Sequence, residues 1–132
     1  MNSNATNVAA LAGRILLALI FLFSGYGKIT GYDATAAYMA TKLPMVAVLL
    51  PLTILTELGG GLLLVFGFKA RWVGLWLAAF TLLAGFLFHD YWNADAAHRT
   101  GQYINFMKNV SITGGLLMVF AFGPGAWSLD KR

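Results

Sequence analysis

Apolar residues fall in four long runs, at about 8–28, 45–68, 71–89 and 104–122, separated by short polar breaks. Each run supplies about the 20 helical residues, rising about 1.5 Å apiece, that a hydrocarbon core requires. Strict period-2 alternation is absent. A lipid-embedded segment must satisfy its own backbone polar groups, so helices are expected and a small barrel is not. Short connections predict an all-α fold: one polytopic domain over residues 1–132, an antiparallel four-helix transmembrane bundle. The stretch GYDATAAYMATKLP, residues 31–44, is small and aromatic. It predicts a short, partly helical interfacial segment between the first two spans, with Asp33 or Thr35 as its cap. The first run has a basic residue ahead of its apolar stretch, as a signal peptide does, but SGYGK offers no cleavage site, so it is read as a retained span.

The polar residues inside these runs carry the functional signal, because an ionisable group at mid-bilayer is costly unless paired or hydrated. Setting each span's midpoint at the bilayer centre puts Glu57 within roughly 2 Å of the midplane. Arg14 then lies about 6 Å to one side, and Lys108 and Asn109 about 6–8 Å to the other. Lys28, His89 and Asn105 fall near the outer rim.

Helical phase groups Arg14, Leu17, Phe21, Gly25 and Lys28 on one stripe of the first span, and Thr53, Glu57, Gly60 and Leu64 on one of the second. Gly74, Ala78, Thr81, Gly85 and His89 share a face of the third, and Asn105, Lys108, Asn109 and Ile112 a face of the fourth. All four stripes can point to a common axis. The pairing this predicts is Arg14 gripping Glu57 with its planar fork, with Lys108 and Asn109 above. Two cations against one anion leave a pocket suited to a carbonyl, an enolate or an anion. The competing reading is a purely architectural ion pair that only specifies helix packing. Lys28 by itself reads as a snorkelling side chain.

Composition reinforces the membrane reading: 59% of residues are hydrophobic and 11% charged, and the mean hydropathy is +0.72. There is no cysteine, which excludes disulfides, thiolate metal sites and a cysteine nucleophile. The net charge of +4 comes from basic residues scattered near span ends, so lipid headgroups rather than nucleic acid are the expected partner. Lys69, Arg71, Lys131 and Arg132 fall on one face; Lys28, Lys42 and Arg99 share the other with Asp33, Asp90 and Asp95. The positive-inside rule then places both termini in the cytoplasm. His89, Asp90, Asp95 and His98 cluster in one loop and could hold a divalent ion, but a polar loop without metal is the expectation. GGLLLVFGF (60–68) and GGLLMVFAF (114–122) match at seven of nine positions, which raises a duplicated hairpin or mere convergence of lipid-facing sequence.

GRILLALIFLFSGYGKI (13–29), TELGGGLLLVFGFKAR (56–71) and KNVSITGGLLMVFAFGPGAWSLD (108–130) together resemble the DoxX family of small bacterial membrane proteins. That resemblance covers nearly the whole chain. It implies a four-span plasma-membrane protein linked to membrane oxidoreductase systems and to quinone, without an assigned catalytic residue. It marks Arg14, Lys28, Glu57, Lys108 and Asn109 as positions of interest. The function expected is a quinone-associated accessory or subunit of a membrane oxidoreductase, with quinone as candidate cofactor and any catalysis left open. The alternative is a non-enzymatic transporter, exporter or membrane scaffold, for which so narrow a bundle would call for homo-oligomers.

Overall fold

A computed structural model describes residues 3–131. Among these residues the chain is entirely helical: α1 (Ser3–Thr30), α2 (Tyr32–Ala40), α3 (Val46–Phe66), α4 (Ala70–Phe88) and α5 (Arg99–Phe122), with a single 3₁₀ turn at Tyr91–Asn93. α1, α3, α4 and α5 are each long and apolar enough to cross a membrane, as the hydropathy pattern predicts. α2 is the helical segment expected between the first two spans. Neither expected cap holds it, however: its N-cap is Gly31 without a side-chain bond, and the Thr35 hydroxyl instead donates to the Gly31 carbonyl at 2.9 Å.

The four long helices pack as two close pairs, α1 with α3 and α4 with α5. Small residues permit the closeness. A side chain at Gly25 would collide with Leu58, and one at Gly61 with Leu22 and the Ala18 carbonyl; in the other pair, one at Gly74 would press on the Leu116 carbonyl. This is how helices associate where lipid removes the hydrophobic driving force between them. The pairs join through a core of Ala18, Phe21, Leu64, Leu77, Ala78 and Leu116.

The start of α1, the described end of the tail and the α3–α4 turn lie at one end of the bundle, here called the termini end; α2 and the 89–98 loop lie at the opposite, loop end. Gly67, in the left-handed region at φ 67°, ends α3. The tail folds back over this turn: Leu129 and Asp130 N–H groups bond the Phe66 and Gly67 carbonyls. The Asp130 carboxylate accepts from the Lys69 and Ala70 N–H groups, an acid at the positive end of α4. Arg132, counted with the charges of this end, lies outside the described residues. The echoing segments do not occupy equivalent surroundings: Leu64 is buried where its counterpart Met118 is exposed, and Leu116 is buried where Leu62 is exposed. That mismatch favours convergent composition over a duplicated hairpin.

Candidate functional site

The expected pairing of Arg14 with Glu57 does not occur. Arg14 is 3% exposed, and its guanidinium is spent on backbone: Nε donates to Leu64 O at 2.7 Å, Nη1 to Pro124 O at 2.5 Å, and Nη2 to Val65 O at 3.1 Å and Trp127 O at 3.0 Å. It ties the end of α3 to the tail and serves the carbonyls a helix terminus leaves open. Arg71 does the same for α5, donating to the Phe120 and Ala121 carbonyls.

Glu57, 4% exposed, pairs instead with Lys28, Nζ to Oε1 at 2.8 Å. Lys28 also donates to Ser24 Oγ at 2.6 Å, so it turns inward and does not snorkel. The physical reason is side-chain direction. Helical side chains lean toward their own N-terminus. On α1 that sends Lys28 from the loop end toward the bundle centre and Arg14 away from it; on antiparallel α3 it tilts Glu57 toward the loop end. Lys28 and Glu57 lean together, and Arg14 leans toward the α3 carbonyls.

At the loop end a cavity of about 570 Å³ opens among all five helices. Its apolar wall includes Phe21, Phe80, Phe88, Met39 and Ile112. Its polar lining is Ser24, Lys28, Thr35, Tyr38, Thr53, Glu57, Thr81, His89, Asn105, Lys108 and Asn109. Of the seven positions singled out by sequence, Lys28, Glu57, His89, Asn105, Lys108 and Asn109 therefore meet around one space. Arg14 is the exception, roughly two helical turns below.

Several groups there retain bonding capacity. Lys28 approaches Glu57 off the favoured hydrogen-bond directions, leaving Oε1 a buried acceptor without an aligned donor, and the buried Thr81 hydroxyl has no partner. The Asn109 amide donates to the Thr81 carbonyl at 3.0 Å. Gln102 Nε2 donates to the Phe88 carbonyl, which turns its Oε1 toward His89 Nδ1 at 2.8 Å. Since that oxygen only accepts, Nδ1 carries the proton, and a neutral ring would keep its lone pair on Nε2. Ser24 and Gln102 were not anticipated, although each sits about one turn before a polar position already marked.

α2 straps this end. Tyr38 Oη donates to the Phe88 carbonyl at 3.0 Å and Lys42 pairs with Asp90 at 2.9 Å. A second, more polar cleft lies outside the strap and shares Tyr38 and Asn105 with the cavity. The loop residues considered for metal take separate partners: His89 binds Gln102, Asp90 binds Lys42 and Asn93, and Asp95 binds His98 at 2.8 Å. The His98 contacts hold the exposed Asp95 carboxyl below its ordinary pKa.

The DoxX family profile matches residues 9–90, well over half of the chain. The chain belongs to the DoxX family. It is 45% identical over 126 residues to the inner membrane protein YqjF of Escherichia coli, a match spanning 95% of this chain and 92% of that protein. Identity to the inner membrane protein YphA of the same organism is 37% over 131 residues, covering 97% of this chain and 92% of the relative. A more distant relative, the Surfeit locus protein 4 homolog of Schizosaccharomyces pombe, is 28% identical over 124 residues, 92% of this chain but 36% of its own length. No solved structure gives a significant match. The matched DoxX region holds most of α1 and all of α2 to α4, including Lys28 and Glu57, whereas Lys108 and Asn109 lie beyond it on α5. With four spans and relatives named as inner membrane proteins, the chain is an integral membrane protein of this family.

Proposed function

We propose that this DoxX protein binds the head group of a quinone in the loop-end cavity, as an accessory of a membrane oxidoreductase system whose partner subunit supplies the electrons. The observation that carries the reading is one space bounded by both an ion pair with a buried carboxylate and aromatic walls. A volume of about 570 Å³ falls in the range typical of small-molecule sites, which are mostly apolar with a few placed polar groups. Phe21, Phe80 and Phe88 suit a flat ring. Lys108 and the Thr81 hydroxyl offer donors to ring oxygens, and Glu57, balanced by Lys28, offers a proton acceptor beside them. α1 and α5 make little contact, and Ile20, which lines the cavity, is 40% exposed. An apolar tail passes to lipid through that gap.

In this reading both termini face the cytoplasm and the cavity lies in the outer half of the bilayer, following the positive charge of the α3–α4 turn and tail. The test is organic extraction of gently solubilised protein followed by quantitative chromatography of quinones. The reading predicts near-stoichiometric quinone in the wild type and strong depletion in Thr81→Phe, which fills the cavity. Quinone at the level of bulk lipid in both would overturn it and leave the transporter or scaffold alternative.

A further inference from the structure

The cavity's polar groups are unequally matched. Glu57 is already neutralised by Lys28 at 2.8 Å, while Lys108, which lines the same space, has no partner among the described residues. The lining therefore carries one uncompensated positive charge. A lysine on an apolar span is costly unless it meets water, headgroups or an anion. Lys108 lies nine residues from the loop end of α5, about 14 Å down the helix. Its stem covers roughly one turn back toward that end, which keeps the ammonium at the depth of the cavity.

A second observation points the same way. The Thr81 hydroxyl, 4% exposed and lining the cavity, has no acceptor. A buried donor without an acceptor costs on the order of 1–3 kcal/mol, a cost an oxygen-bearing ligand removes. The neighbouring Asn109 amide is already committed to the Thr81 carbonyl. The unspent donors are thus a full positive charge and a hydroxyl that lacks an acceptor, beside a Glu57 Oε1 whose charge Lys28 balances without an aligned hydrogen bond.

We infer that the cavity holds its ligand as an amphipathic oxyanion, with the Lys108 ammonium as counter-ion and the Thr81 hydroxyl as a second donor. The chemistry is a delocalised negative charge on oxygen at the head of an apolar molecule, whether an ionised hydroxyquinone or a carboxylate. This deepens the quinone reading and rests on its cavity, but not on the ligand being a quinone.

Isothermal titration of the detergent-purified full chain with two matched pairs tests it: an alkylated 2-hydroxy-1,4-naphthoquinone against its 2-methoxy analogue, and decanoate against decanol. The expected result is about tenfold or greater preference for the anion of at least one pair. That preference falls below about twofold in Lys108→Gln, survives in Lys108→Arg, and is untouched in Lys69→Gln at the opposite end. Lys108 is exposed, so the glutamine variant is expected to fold, and size-exclusion chromatography checks this. Equal binding of charged and neutral partners, no binding of either pair, or an anion preference that survives Lys108→Gln overturns the inference. Naphthoquinones bound without charge preference, with no preference in the decanoate pair either, would overturn it and leave the quinone reading standing. Anion preference confined to decanoate, with neither naphthoquinone bound, would sustain it and overturn the quinone reading.

Discussion

Replacing Arg14 by Met should be among the most damaging single changes in the molecule, for reasons separate from the cavity. Four carbonyl contacts are lost at once, to Leu64, Val65, Pro124 and Trp127. Hydrogen bonds to a charged group contribute about 1.5–3 kcal/mol each. The sum overstates the loss, because Leu64 O keeps the Gly67 N–H and the methionine stem retains some packing. A net destabilisation of about 3–5 kcal/mol follows, at the upper end of what single substitutions do. For a chain of this length that corresponds to roughly 10–20 °C in melting temperature, read from tryptophan fluorescence or size-exclusion survival after heating. Arg14→Lys should recover only part, since an ammonium cannot fork to four carbonyls. The informative arm is the double variant with Glu57→Gln. Arg14 and Glu57 share no contact, so their effects should add within about 0.5 kcal/mol. A coupling above about 1 kcal/mol between them would refute the assignment of Arg14 to the backbone and restore a direct charge pair.

The remaining expectations concern the ion pair, the helix contacts and the loop. Lys28→Met leaves a buried carboxylate uncompensated and should cost about 3–5 kcal/mol, while Lys28→Met/Glu57→Leu recovers most of it; thermal melts of the three proteins check this, and a double variant as unstable as the single one would contradict it. Gly25→Val should destabilise by at least about 1–3 kcal/mol through overpacking on Leu58, whereas Gly59→Ala, where a Cβ meets nothing, should be neutral or slightly stabilising; equal melts for both would show that the α1–α3 contact is not as close as described. Asp95, its pKa held down by His98, contributes order that is fully present above the ordinary aspartate pKa and lost as pH falls through the depressed one. Amide exchange at His98, whose N–H bonds the Asp95 carboxylate, should therefore stay protected at neutral pH and open only under acid conditions below about pH 4; loss of protection near pH 6 would assign the order to something else.

Hydropathy alone made the four spans legible, because length and apolarity in lipid leave helices as the only economical form, and the small, aromatic composition of residues 31–44 marked the α2 segment. The outlying polar residues marked the cavity for the same reason: Glu57 in an apolar run has few places to be. What the pattern did not reveal was which cation it meets. Depth estimated from span midpoints ignores the lean of side chains along the helix, and that lean separates Arg14 from Glu57 and brings Lys28 to it. The GPGAWSLD tail was visible as a motif but not as the acceptor for Arg14, since its carbonyls carry no sequence signature. Gln102 and Ser24 were legible only as extensions of polar stripes by one turn. Cavities themselves arise from how helix pairs diverge, which no single helix records.

The central claim is that the loop-end cavity is a ligand site and not a gap in helix packing. Native mass spectrometry of the protein released from mild detergent compares the wild type with Ala84→Phe, which fills the cavity wall without touching a charged group. The account predicts a bound lipophilic molecule of defined mass on most wild-type copies and at least about tenfold less on the filled variant. A wild type carrying no defined adduct, or one that the phenylalanine does not displace, would contradict it.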